Sequence, residues 1–129
     1  MTKQIISTPH APSSPLYSQG VRVGPTIYVS GMVGVDTVSG QLAGPTIQEQ
    51  TRQALLNCVA IVEAGGGSLD DITQVTVLLS DPDDFAGMNE AYGEFFASEP
   101  PARAVAKLGA VLPGVLVSVM VTAYMDDSQ

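Results

Sequence analysis

A chain of 129 residues, 45% hydrophobic and 14% charged, suits one domain with a filled core and is too apolar for disorder. Its net charge of −8 comes with lysines and arginines scattered singly and no tryptophan. It therefore offers neither a basic stripe for a phosphate backbone nor a stacking platform for bases, and no nucleic-acid partner is expected.

Cys58 is the only cysteine, which excludes an internal disulfide, and His10 is the only histidine. No cluster has the spacing of a zinc or iron site, so no protein-ligated metal is expected. The first residues lack a basic start and an apolar run, and no apolar segment reaches the roughly 18 to 20 residues that span a bilayer. The expectation is a cytoplasmic protein with no membrane partner.

The chain opens on a polar, proline-bearing segment with a short strand at 4–6. Two strands follow, 17–23 and 26–32, joined at Gly24-Pro25 as an early hairpin. A turn at 36–40 leads to Gly44-Pro45-Thr46. After it, Ile47, Ala54, Leu55, Cys58, Ile61 and Val62 recur at helical spacing. Thr46 with Glu49 predicts a capping box, and Gly65-Gly66-Gly67 predicts the stop, since glycine accepts a left-handed conformation beyond a helix end. Cys58 lies on the buried stripe and is read as core.

Residues 72–80 alternate Val75, Val77 and Leu79 against Gln74, Thr76 and Ser80, which predicts a strand with one better protected face. A second helix begins at Asp81-Pro82-Asp83-Asp84. It carries the stripe Phe85, Met88, Tyr92, Phe95 and Phe96, and Pro100-Pro101 blocks its continuation. Strand 102–108 comes next, then a Leu112-Pro113-Gly114 turn, then strand 115–124, whose nearly continuous apolar run calls for cover on both faces.

Arg103, one of three arginines, opens the strand 102–108. Alternation places Arg103, Val105 and Lys107 on one face and Ala102, Ala104, Ala106 and Leu108 on the other. A guanidinium is a planar fork suited to a carboxylate or phosphate, so a small anion is a candidate partner. A strand-start arginine exposed to water, or paired with Glu99 or Glu94, is the plain alternative.

Strands, helix, strand, helix, strand, strand describes an α+β domain: a mixed sheet with two helices on one face. A lone copy would then expose the face assigned to Arg103, Val105, Ser118 and Met120, so self-association through that face is expected. Three further positions stand out. Tyr17 is a candidate interface aromatic, Ser30-Gly31 ends a β run at a point suited to a bulge, and Asn89 lies on the second helix.

Ala11-Pro12, Tyr17-Ser18-Gln19-Gly20, Ile27-Tyr28-Val29-Ser30-Gly31 and the helix segment 50–57 fall in an order that resembles the RidA/YjgF family of enamine and imine deaminases. That family was once grouped under the liver perchloric-acid-soluble protein name. Asn89-Glu90-Ala91-Tyr92-Gly93-Glu94-Phe95-Phe96 followed by Pro101-Ala102-Arg103 carries the most specific part.

The resemblance covers nearly all of residues 1–129 as a single domain and implies a chorismate-mutase-like α+β homotrimer with ligand sites between subunits. It also implies hydrolysis of short 2-imino acids, such as 2-iminopropanoate formed from 2-aminoacrylate, to 2-keto acids and ammonia without a cofactor. On it, Arg103 is the catalytic arginine that holds the substrate carboxylate. Tyr17, Ser30, Gly31, Asn89, Val105 and Met120 shape the cleft, and carbonyls near Val105 hold a water. Val105 and Met120 stand where the family often has cysteine and glutamate, which implies slower deamination, a larger and more hydrophobic acid, or carboxylate binding without turnover.

Overall fold

A computed structural model describes residues 2–126. Thr46 caps the first helix, α1 (Ile47–Ala64): its side chain accepts from the Glu49 amide, and the Glu49 carboxylate returns the bond, so two amide donors at the helix start are satisfied. At the other end Gly66 has φ of 101°, a left-handed conformation open to glycine. The amide of Gly67 there donates to the Val62 carbonyl at 2.9 Å. The predicted start and stop of α1 are both found.

The principal sheet takes β1 (Gln4–Ile6), β2 (Gly20–Val23), β3 (Thr26–Val29), β4 (Met32–Val33), β7 (Ile72–Leu79), β8 (Ala102–Lys107) and β9 (Val117–Tyr124) in the order β1-β2-β3-β9-β7-β8, with β4 also on β9. A separate two-stranded ribbon joins β5 (Val35–Asp36) to β6 (Gln41–Leu42) around the predicted turn. Every pairing is antiparallel except β7 with β8, whose connection contains the second helix, α2 (Phe85–Phe95). A parallel pair requires such a crossover. A short 3₁₀ turn at Pro82–Asp84 leads into α2, so the helix proper starts after the predicted aspartates.

The predicted single strand 26–32 is broken. Tyr28 pairs with Thr122 and Met32 with Val119, so four steps on one strand face three on the other. The extra residue is a bulge at Ser30-Gly31. The predicted strand 17–23 begins only at Gly20. Tyr17 sits before it in a turn, bridged to Ser14.

α1 and α2 cover one face of the sheet, as expected. Ile27, Val75, Val77, Val117, Val119 and Val121 point into that layer against Leu55, Cys58, Ile61 and Met88, all essentially inaccessible. Full burial of each large aliphatic side chain is worth roughly 1.5–3 kcal/mol. The opposite face carries Ile5, Tyr28, Met120 and Tyr124, which are 57%, 53%, 47% and 54% exposed. Among the described residues no helix is long and apolar enough to cross a membrane.

Candidate active site

Arg103 is the second residue of edge strand β8. In the parallel register it stands beside Val75, and Val105 stands beside Val77. Paired residues project to the same face, so Arg103, Val105 and Lys107 lie on the helix-covered side. Alternation separated them from Ala102, Ala104 and Ala106 as expected, but the assignment of Arg103 and Val105 to the face of Ser118 and Met120 is corrected. On β9, Met120 pairs with Thr76 and Ser118 with Leu78, and these four lie opposite the core valines. α2 stops short of covering the β8 edge, so Arg103 meets the flank of that helix and stays exposed.

On that flank three α2 side chains spaced by four and three residues meet the guanidinium. Nη1 of Arg103 donates to Oδ1 of Asn89 at 2.7 Å. Its Cζ lies 4.7 Å from the Tyr92 ring centroid and 5.8 Å from that of Phe85. These are cation–π distances. The arginine is thus held at one edge and on one face by uncharged groups, and its charge is not neutralised. Glu94 is taken by Arg52, which donates to it from Nε and Nη2, both at 3.0 Å. This bidentate bond holds the Glu94 carboxyl below its ordinary value, and Glu94 is not the partner of Arg103. Among the described residues Arg103 has no ion pair.

Tyr92 and Phe85 carry part of this site, and the sequence reading placed them only in a core stripe. Tyr92 is 7% exposed, and among the described residues its hydroxyl has no hydrogen-bond partner. Burial raises its pKa, with Arg103 acting the other way. The spacing 85, 89, 92 is one side of a helix, and that is the signal by which both rings could have been tied to Asn89.

Tyr17, Ser30, Gly31 and Met120 come together elsewhere, around a shallow cavity of about 410 Å³ on the other face of the sheet. The Ser30 hydroxyl donates to the Ser18 carbonyl at 2.6 Å and its amide to the Gln19 carbonyl at 2.9 Å, so the bulge is tied to the Tyr17 turn. Gln19 is buried and its amide nitrogen donates to the carbonyls of Thr8, Ala11 and Pro12. This pins residues 8–12 to the chain that enters β2. A side chain at Gly31 would bring its Cβ to 3.1 Å from the Ser118 hydroxyl, so glycine keeps this floor low.

The expected site residues therefore form two groups. Arg103, Asn89 and Val105 are at the β8 edge on the helix side, and Tyr17, Ser30, Gly31 and Met120 are on the open side. Within one chain the sheet stands between them. Among the described residues no group of three histidine, cysteine or carboxylate side chains could hold a metal.

The fold is that of a two-helix α+β protein whose sheet edge carries an arginine with no acidic partner among the described residues. The chain belongs to the family described as Endoribonuclease L-PSP, whose model matches residues 8–125. It is 40% identical over 120 residues to the 2-iminobutanoate/2-iminopropanoate deaminase of Capra hircus, covering 92% of this chain and 88% of that one. The structure of RidA from an Antarctic Psychrobacter matches with a TM-score of 0.88 at 37% identity, covering 95% and 99%. That of Escherichia coli TdcF with bound serine matches with a TM-score of 0.89 at 33% identity, covering 95% and 99%.

Proposed function

We propose that this protein hydrolyses 2-imino acids to 2-keto acids and ammonia, with Arg103 as the carboxylate anchor. The observation that carries the reading is the unneutralised guanidinium, held by Asn89 and stacked on Tyr92. A relative named as an imine deaminase and a neighbouring structure holding serine, itself a small carboxylate, support it.

In this reading the substrate carboxylate takes the donors of Arg103 that Asn89 leaves open. The protonated imine carbon is already electrophilic, so positioning is most of the task. A water held by backbone carbonyls beside Val105 adds its oxygen to that carbon, and its proton passes to the amine nitrogen. The resulting carbinolamine expels ammonia as the carbonyl forms. Hydrolysis consumes one water, releases one ammonia and needs no cofactor.

The two half-sites become one only between copies. The exposed Tyr28, Met120 and Tyr124 give the open face the apolar character of an interface. A contact that sets the β8 edge of one copy against the Tyr17, Ser30, Gly31 and Met120 group of the next uses two different surfaces and closes into a ring. We take that ring to be a homotrimer.

Met120 offers no carboxylate to activate water, and that observation favours a second reading: capture of small carboxylates without turnover. A nuclease reading draws no support from a chain with net charge −8 and one histidine. The deciding assay generates imines with an amino-acid oxidase and traps the remainder with semicarbazide. Wild type accelerates imine loss, and Arg103→Ala lowers kcat/KM by about 10- to 100-fold, the worth of a lost charge-assisted contact. Binding of keto acids with no acceleration would select the second reading, and equal rates for both proteins would remove Arg103 from the chemistry.

A further inference from the structure

Beside Arg103 on the helix side of β8 is a groove of about 410 Å³ lined by Leu79, Pro82, Phe85, Val105, Ala106 and Lys107. Its walls are apolar except for Lys107. It begins where the site ends, because Phe85 is both a wall of the groove and a ring lying 5.8 Å from the Arg103 Cζ. Val105 and Lys107 follow Arg103 on the same strand face, at the roughly 3.3 Å per residue of a β-strand, so the groove runs away from the guanidinium along β8.

Resting on the deaminase reading, we propose that this groove is a side-chain subsite and that the preferred substrates are 2-imino acids with bulky apolar side chains, of leucine or phenylalanine size. A carboxylate on Arg103 sends the rest of the molecule past Phe85 along Val105. A cavity of about 150 Å³ suffices to enclose a benzene ring, so a methyl group would leave most of this space to water, whereas an isobutyl or benzyl group covers the walls. Each methylene so buried is worth about fourfold in binding, from 0.8 kcal/mol per group. Lys107 at the far end disfavours side chains that carry a positive charge.

Phe85 makes the coupling specific. The residue is 45% exposed in this chain, although it heads the apolar stripe of α2. An apolar side chain lying along β8 would cover that ring and the half-buried Val105 together. The same ring supports Arg103, so filling the groove and seating the carboxylate act on one side chain.

The test compares kcat/KM for alanine-, leucine-, phenylalanine- and lysine-derived imines in wild type and Val105→Phe, which places a ring in the groove. Wild type is expected to favour the leucine and phenylalanine imines over the alanine one at least tenfold, with the lysine imine slow. Val105→Phe should cut the leucine-to-alanine ratio by fivefold or more. If wild type works fastest on the alanine imine, the subsite is refuted while the deaminase reading survives. That result would mean that a second copy or solvent occupies the groove. Acceleration of none of the four would overturn the deaminase reading and the subsite with it. Because the wild-type comparison alone decides the preference, poor folding of the variant leaves the proposal refutable.

Discussion

The Arg103 guanidinium rests on the ring of Tyr92, 4.7 Å from its centroid, while the hydroxyl of that tyrosine is buried with no partner among the described residues. The two ends of Tyr92 thus do different work. The ring supports the cation, and the hydroxyl contributes only the cost of its own desolvation. Tyr92→Phe is expected to keep keto-acid affinity within twofold and to leave stability equal or up to about 1 kcal/mol higher, since an unpaired buried hydroxyl is removed. Tyr92→Leu removes the π face and should weaken keto-acid binding about two- to fivefold, from the 0.5–1 kcal/mol of an exposed cation–π contact. Titration calorimetry with a 2-keto acid distinguishes the two variants. Equal weakening by Phe and Leu would show that the hydroxyl, and not the ring, matters.

A buried glutamine holds the loop before β9. The Gln50 side chain donates to the carbonyls of Gly44 and Gly114, at 3.0 and 2.9 Å, and accepts from the Leu116 amide at 2.9 Å. One α1 residue therefore fixes both the approach to the helix and the chain that enters β9, and with it the position of Ser118 and Met120. Gln50→Leu leaves three backbone groups without their partner and should cost about 2–4 kcal/mol. Arg52→Leu, which breaks an exposed pair with Glu94, should leave the unfolding midpoint nearly unchanged. Urea unfolding midpoints of the two variants measured side by side give the comparison, and an Arg52→Leu loss equal to that of Gln50→Leu would contradict it.

How much of this was legible beforehand depends on which physical signal each feature carries. The bounds of α1 were readable because Thr46, Glu49 and Gly66 act on their own backbone neighbourhood. The grouping of Arg103 with Val105 and Lys107 was readable too, because alternation is local. Which face they occupy was not, since that depends on the parallel register of β8 on β7, and Val75 opposite Arg103 is a tertiary fact. The bulge had a visible cause in Gly31, but its consequence, a change of phase between Tyr28 and Met32, shows only against β9. Tyr92 was read as core by its stripe. It is core by burial, and its role under Arg103 needed the edge strand to be placed.

Cys58 lies in the layer between α1 and β9, fully inaccessible, its thiol 3.5 Å from the Val119 carbonyl. Burial pushes its pKa up to about 12, from an ordinary 9.0. The folded protein should resist alkylation by iodoacetamide at pH 8 and react once unfolded, as expected of a buried, inert thiol. The linked effect on stability has a definite sign. Between pH 9 and 12 the unfolded chain loses this proton and the folded chain keeps it, so stability is fully present below that window and falls as pH rises through it. The slope from this group is at most about 1.4 kcal/mol per pH unit. Tyr92, also raised by burial, contributes with the same sign at higher pH. Cys58→Ala should be less stable at pH 7, because a buried side chain is truncated, but should lose less on going to pH 11. An identical pH dependence in both proteins would show that the thiol is solvated or ionised in the fold.

The separation of the two half-sites by the sheet makes the shared-site reading testable without a structure of the assembly. Arg103→Ala removes the anchor from the β8 edge and leaves the open face intact. Gly31→Phe fills the cavity beside Tyr17 and Ser118 on the open face and leaves Arg103, Asn89 and Tyr92 untouched. Each variant alone should hydrolyse imines at least tenfold more slowly than wild type, Arg103→Ala by the loss of its charge-assisted contact. Unfolding the two together and refolding them in equal amounts distributes the chains at random around each ring. A site that draws its arginine from one chain and its open-face residues from the next is then intact in about one case in four. The mixture should recover roughly a quarter of wild-type activity, with the wild-type KM. Activity restored in this way cannot arise within one chain, since each chain carries one defect. A mixture no more active than the single variants, with both folded and assembled, would mean that Arg103 works without a neighbour and that the Tyr17 cavity serves another purpose.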